Sequence, residues 1–511
     1  MELSDLNYTK FSDSESGFGD KIVTFPVHNL DDFFSNVYIY YRSKGYKNLL
    51  LKGLTDFFSL LFTLILSTLF YHLNWNEIGK CSLDSFSCNN INLFDMKIYH
   101  NIVSKMIFVF YCVVFIIYLV WFSVSSIFFY CKMIKIKSYF KHSIDVSDEE
   151  LLFMNFNDIL DKILIFQDKI KFTCGRRLYE KQSKIKILNR INRRDNLLIA
   201  LIEDNVLSEG LTGSLKPLYY SKTMEWNLRM IFINELNSSI NKNFLFNHDS
   251  LGQRFFLLGV INCFLFPFSI IFNILNFMLD NLVHFHTEPK DFMNSVWNNY
   301  GYYYFRNYNE LPHIASQRLY LALNDAVNFS NSFKRIEYDT IQRFLIFLIG
   351  SVTSFIIFMG FYNEAILSIT FLNRNMWWYV AILTASIAIL KNNLVNQNFN
   401  QNPRMYLVKL EEHIGCKLKP DMKLKQTYLY ISKFLKYKFF NLFLEIMSIF
   451  LTPYFLIIHS KKNARKLGYW LKDNLEKDDD LGYIYKNCNF KNNNSSDMMK
   501  QSIINYNKFY E

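Results

Sequence analysis

Along the chain, long apolar runs alternate with stretches rich in Lys, Asn and Asp, and the runs approach the ~20 residues that a membrane-spanning helix needs. "LLLKGLTDFFSLLFTLILSTLFYHLNW" (49–75) and "MIFVFYCVVFIIYLVWFSVSSIFFYC" (106–131) are each long enough to cross. Two further runs, 343–362 and 376–393, are separated by "NEAILSITFLNRN" and predict a hairpin through the membrane. Trp377 and Trp378 suit its interfacial belt. Two other segments carry a central proline. Pro267 lies within 255–283, and Pro453, with Glu445, lies within 439–459. Since proline removes a backbone donor and interrupts a helix, each predicts a helix, turn and helix that enters the membrane and returns.

Loop charge orients these segments. Lys80 and Lys97 are the Lys or Arg residues well inside the first loop, whereas the region from Lys132 to Arg254 is dense in both. By the positive-inside tendency the first loop is lumenal and the second cytosolic. Lysines flank 439–459 on both sides, which predicts that it does not cross. The expectation is four crossings, two re-entrant hairpins and both termini cytosolic. Six crossings would instead send 284–341 to the lumen.

Between the greasy runs, "LLFMNFNDILDKILIFQDKIKF" (151–172) and "KIKILNRINRRDNLLIALIEDNVL" (184–207) show helical periodicity and predict packed cytosolic helices. Residues 1–35 and 491–511 read as cytosolic tails around a membrane-embedded core at 36–490.

Composition supports this class and narrows the chemistry. Of 511 residues 51% are hydrophobic, 52 of them Phe, so much of the surface must face lipid. The net charge of +11 lies beside apolar segments, which favours anionic headgroups over nucleic acid as counter-ions. The cysteines form no CxxC pair. Cys81 and Cys88 fall in the expected lumenal loop, where a disulfide or two free thiols would fit. No nucleophile, base and orienting group, metal spacing or glycine-rich phosphate loop assembles, so neither an enzyme nor a bound cofactor is expected.

The candidate chemistry concentrates in "YYYFRNYNELPHIASQRL" (302–319). Arg306, Asn309, Glu310, His313 and Arg318, with upstream Glu288 and with Glu445, have the donors and acceptors to line a wet path through the bilayer. The structural alternative makes Asn309 a helix N-cap, Glu310 a first-turn acid and Arg306 with Glu310 an ion pair. In "NRINRRDN" the Arg190, Arg193 and Arg194 face either meets anionic lipid or pairs with the chain's own carboxylates. Tyr8 to Phe11, "YTKF", fits the sorting pattern read by adaptor complexes.

Six blocks in order resemble one family: "NVYIYYRSKGY" (36–46), "ILNRINRRDNLLIALIEDNVL" (187–207), "TMEWNL" (223–228), "FRNYNELPHIASQRL" (305–319), "FLEIMSIFLTPYFL" (443–456) and "DDLGYIYKNCNF" (479–490). Together the chain resembles the autophagy-related protein 9 family, departing from it at "HFHTEPKDF" (284–292) and in its shorter tails. The resemblance implies an all-α polytopic fold assembled as a homotrimer with exchanged membrane segments. It also implies ATP-independent phospholipid scrambling between leaflets during autophagosome expansion, and a lipid-transfer partner of the autophagy-related protein 2 type. The expected location is the autophagosome precursor, Golgi-derived and endosomal vesicles, and the endoplasmic reticulum. A membrane scaffold or vesicle cargo, and a channel or transporter, are the competing classes.

Overall fold

The computed structural model describes residues 9–11, 22–27, 29–73, 102–174, 177–213, 215–232, 248–287, 294–333, 336–362, 367, 370–371, 374–393, 402–415, 423–478 and 481–488. Helices dominate them. Helix α1 (Leu30–Arg42) starts where the Asn29 side chain accepts from Asp31 N, with Asp31 and Asp32 favouring the positive end of the dipole. It leads through Gly45 into α2 (Tyr46–His72). Gly45 has φ 106°, and a Cβ there would meet the Asp148 side chain at 2.9 Å, so the turn requires glycine.

Helix α3 (Ile102–His142) packs against α2, and Gly53 lets the Tyr130 ring lie directly on the α2 backbone. Its end joins α1, α4 (Phe156–Lys169) and strand β3 (Lys171–Cys174) in a first apolar core built on Phe33, Phe34, Tyr139, Phe166 and Phe172. There β3 pairs in parallel with β2 (Ile22–Pro26), flanked by β1 (Thr9–Phe11) and β4 (Arg177–Leu178).

Helix α5 (Lys184–Glu203) connects this core to the next. Ile187 and Leu188 enter the first core, Leu197 to Ile202 enter the second, and the polar run Asn189 to Asn196 lies between them. The second core gathers α6 (Lys216–Tyr219), α7 (Lys222–Phe232), the start of α8 (His248–Thr287), α9 (Asn299–Tyr304) and α10 (Pro312–Asn331).

Among the described residues four helices are long and apolar enough to cross a membrane: Tyr46–Leu69, Phe108–His142, Thr340–Tyr362 and Lys438–Asn474. The third belongs to α11 (Ile336–Tyr362), which packs principally on α12 (Met376–Asn393), a shorter apolar helix, and between the two β6 (Thr370–Phe371) pairs with β7 (Arg374–Asn375). After α13 (Pro403–Ile414) and α14 (Leu424–Ile431), strand β8 (Leu435–Tyr437) pairs with β5 (Ser295–Trp297). The chain then runs through α15 (Lys438–Tyr454), a π-helical segment (Phe455–Ser460) and α16 (Lys461–Asn474), and ends in the hairpin β9 (Leu475–Asp478) and β10 (Gly482–Tyr485).

The turns expected at the two prolines do not form. Helix α8 continues through Pro267, and α15 continues past Pro453 into the π-helical segment. A proline removes one donor, and a helix accommodates that loss when neighbours satisfy the freed groups or a π-turn absorbs the mismatch. The two helices run antiparallel instead. Gly252 lies against Lys461 and Ala464, Gly259 against Leu456 and Ile457, and Phe266 against Phe450. A Cβ on Gly259 would stand 2.4 Å from Ile457, so the close approach depends on that glycine.

Candidate functional site

Helix α5 is tied to its neighbours through two carboxylates, its own Asp195 and Asp31 of α1. Asp195, on α5, receives Arg306 NH1 at 2.7 Å and Arg229 NH2 at 2.6 Å. Burial opposes its charge, but the Arg306 and Arg229 guanidiniums outweigh that and hold the carboxyl below its ordinary range. Arg229 continues outward to Glu225 at 2.8 Å and to the Tyr303 hydroxyl at 2.8 Å. One helical turn away, Asp31 on α1 takes both Arg190, at 2.6 Å, and Arg193. The charged residues of "NRINRRDN" thus divide by direction, with Arg190 and Arg193 tying α5 to α1 and Asp195 tying it to the 305–313 loop.

That loop turns at Asn309, whose φ of 58° is the left-handed conformation that Asn tolerates better than most residues. Asn309 is therefore not the N-cap. Helix α10 begins at Pro312 after Leu311, where proline's missing donor costs nothing. Two asparagines one turn apart on α5 grip the loop: Asn192 donates to Asn309 O at 3.0 Å, and Asn196 exchanges bonds with the Asn309 side chain at 2.7 Å and its N–H at 2.9 Å. Asn309 and Asn189 both donate to Cys488 O, so the C-terminal hairpin joins the same knot.

The expected Arg306 to Glu310 ion pair is also replaced. Arg306 donates to the Glu310 backbone carbonyl at 2.9 Å, while the Glu310 carboxylate forms a two-pronged pair with Arg318, both contacts at 2.7 Å. The Arg318 fork also donates to the Phe305, His413 and Ile414 carbonyls, which satisfies the C-terminus of α13. His313 Nδ1 lies 2.8 Å from the Tyr38 hydroxyl, and burial together with Arg42 and Lys44 pushes the imidazole down to about 4. Arg306 is 2% exposed, and of its nitrogens Nε alone has no partner among the described residues.

Glu445 lies elsewhere, on α15, accepting from Lys222 N at 3.2 Å at the start of α7. On the same face of α15, Ser448 and Thr452 are fully buried, and Asn262 of α8 exchanges side-chain bonds with Asn227 of α7. These residues form a polar seam where α7, α8 and α15 meet. The opposite face is a stripe of Phe439, Phe443, Met447, Phe450, Tyr454 and Ile458, all exposed.

Glu288, Tyr8, Cys81 and Cys88 lie outside the described residues, and Phe11 contributes its backbone to β1. Among the described residues no group of three or more His, Cys, Asp and Glu is placed to hold a metal. Sequence reasoning missed Asp31, Glu225, Arg229, Asn192 and Asn196. Of these, Glu225 stood in the quoted "TMEWNL" block and Asn192 and Asn196 in the quoted α5 block, while Asp31 shows only as a first-turn acid.

A predominantly helical body with several apolar helices, built around a buried polar loop, defines the class as a polytopic helical membrane protein. Residues 24–491 match the family model described as Autophagy protein ATG9, and the chain belongs to that family. It is 24% identical to Autophagy-related protein 9 of Arabidopsis thaliana, over 94% of this chain and 58% of that protein. Its identity to the Dictyostelium discoideum protein of the same name is 25%, covering 94% of this chain and 69% of that one. For the Saccharomyces cerevisiae protein the identity is 25% and the shares are 92% and 48%. The chain thus spans about half to two thirds of the length of these relatives. The cryo-EM structure of Schizosaccharomyces pombe Atg9 superposes with a TM-score of 0.63 at 18% identity, covering 91% of this chain and 99% of that one.

Proposed function

We propose that the chain is a passive, ATP-independent phospholipid scramblase that redistributes lipid between leaflets during autophagosome growth. The observation that carries this reading is the polar seam of Glu445, Ser448, Thr452, Asn262 and Asn227, where α7 meets a helix pair whose outer face is Phe-rich. A headgroup resists entering hydrocarbon because its charges lose water, and a line of hydroxyl, amide and carboxylate groups lowers that barrier. Scrambling requires the seam to open toward lipid. The roles proposed for Arg306, Asn309, Glu310, His313 and Arg318 are to hold the frame on which the seam is mounted, and Glu445 is the residue proposed to meet headgroups.

The pair α8 with α15 and α16 lies in the cytosolic leaflet without crossing, in this reading. Its support is that both ends of the second helix are tied to one body. Strand β8 pairs with β5 at one end, while Trp470 bonds Asp204 and Lys466 bonds Glu209 at the other. Nitroxide depth labels at Phe440 and Ile458, roughly 27 Å apart along a helix, test it: equal depth is expected, and opposite leaflets would overturn it. The other apolar helices, α2, α3, α11 and α12, form the four crossings, with both termini cytosolic.

The α11 and α12 hairpin packs principally on itself and leaves Phe347, Phe355 and Phe358 exposed, which suits exchange between subunits of a homotrimer. The same reading brings in an autophagy-related protein 2-type lipid-transfer partner and adaptor complexes that gather the protein into vesicles. Reconstitution in liposomes with a headgroup-labelled fluorescent lipid tests the activity. Dithionite is expected to bleach beyond the outer-leaflet fraction without ATP in vesicles sealed to the reductant. Bleaching that stops at the outer leaflet, with folded protein present, would replace this reading with a scaffold or cargo role.

A further inference from the structure

The exposed face of α8 and α15 ends in lysines that differ from the cations of the central knot. At one end Lys436 Nζ stands over the Phe440 ring at 5.9 Å; at the other, Lys461 Nζ stands over Phe256 at 4.7 Å. Both rings belong to the exposed face, about 44% exposed in each case. Neither lysine has an acidic partner among the described residues, and the same holds for neighbouring Lys433, Lys438, Lys462 and Arg465. The nearby acids are engaged elsewhere: Glu445 points to Lys222 N on the core side, and Glu209 holds Lys466.

We infer that Lys436 and Lys461, each seated over a phenylalanine at an end of this face, bind anionic phospholipid headgroups and give the protein a preference for negatively charged lipid in the leaflet that contacts α8 and α15. The physical argument is complementarity on a two-part surface. An ammonium over a ring is held at the boundary between apolar face and water, its stem lying along the hydrocarbon. Its remaining donors are then free to meet the phosphate layer, since no carboxylate among the described residues pairs with them. Each basic residue beside an anionic surface is worth about 1 kcal/mol, or about fivefold in occupancy. Two at opposite ends of one face favour a lipid surface over a soluble anion, which would engage one end and leave the phenylalanines in water.

This inference rests on the in-plane lie of the pair, and the depth labels at Phe440 and Ile458 report that lie separately. The test uses full-length protein reconstituted in phosphatidylcholine vesicles with trace spin-labelled phosphatidylserine or spin-labelled phosphatidylcholine, and reads the motionally restricted fraction of each. Wild type is expected to restrict phosphatidylserine about fivefold more strongly. The K436Q/K461Q variant brings the two lipids close to parity, while K409Q/K477Q, removing equal charge from exposed positions elsewhere, leaves the preference in place. Salt gives a second arm that needs no substitution, since screening must weaken the wild-type preference. Equal restriction of both lipids by wild type, a preference that survives in K436Q/K461Q, or a salt-insensitive preference would each overturn the inference. Equal depth at the two labels with no phosphatidylserine preference would overturn the headgroup inference alone. Because the assay counts bound lipid and not flipped lipid, absence of scrambling leaves its result readable.

Discussion

The 305–318 loop and the face of α8 with α15 are made from the same residue types, basic side chains beside aromatic rings, and they use them in opposite ways. In the loop every arginine is buried against a carboxylate: Arg306 on Asp195, Arg318 on Glu310. On the face the lysines stand over exposed rings with no acidic partner among the described residues. Ion pairing turns cations inward and makes them joints; leaving them unpaired next to apolar surface makes them contacts for something outside. The comparison teaches that a dense polar motif in a membrane protein is not by itself a path, and that the position of its counter-charge decides.

The largest effect should come from breaking the loop's charge balance. Asp195→Ala leaves Arg306 buried without its partner and is expected to cost about 3–5 kcal/mol, seen as a large drop in thermal stability or in yield of folded protein. Arg318→Ala removes the fork from Glu310 and the bonds to the end of α13, and about 2 kcal/mol is expected. Arg318→Lys should rescue little, because an ammonium cannot reproduce the two-pronged geometry. Asn309→Ala combines a strained left-handed residue with lost bonds to Asn196 and is expected to cost about 1–2 kcal/mol, whereas Asn309→Gly relieves the backbone part.

A smaller effect is expected from pH. The folded His313 pKa, about 4, lies below the ordinary 6.5. The unfolded chain therefore binds the proton first, so stability falls as pH drops from 6.5 toward 4 and the loss is complete below that. A His313→Phe variant should lose that part of the pH dependence, as read by melts across the window. The smallest effect is on the face, where K436Q/K461Q should leave the melting temperature within the range of about 0.5 kcal/mol typical of surface changes. A stability loss there as large as that of Asp195→Ala would erase the distinction between the two regions.

Much of the architecture was legible because it is local. The apolar runs mark α2, α3, α11 and α12, and the sequence of α5 announces its role, with a polar middle between two apolar ends that enter different cores. The prolines misled: α8 continues through Pro267 and α15 past Pro453, and the partner on which each helix packs lies far along the chain. The site was legible as a cluster but not as a set of pairs. Arg306 and Glu310, four residues apart, read as partners, yet each found a better one through the fold, Asp195 and Arg318. Asp31 lies 159 positions from Arg190, and no local pattern can point across that separation.

The central claim, that headgroups travel along the seam and not through the knot, is tested most directly by the flip rate of a variant with Ser448→Ala and Thr452→Val. These nearly isosteric changes remove two hydroxyls while keeping the helix packed. Measured by dithionite bleaching at equal folded protein, scrambling is expected to fall about fivefold or more, from the roughly 1–3 kcal/mol that a lost polar partner costs. A rate equal to wild type in that variant would contradict the account and return the search for the path to Arg306, Glu310 and Arg318.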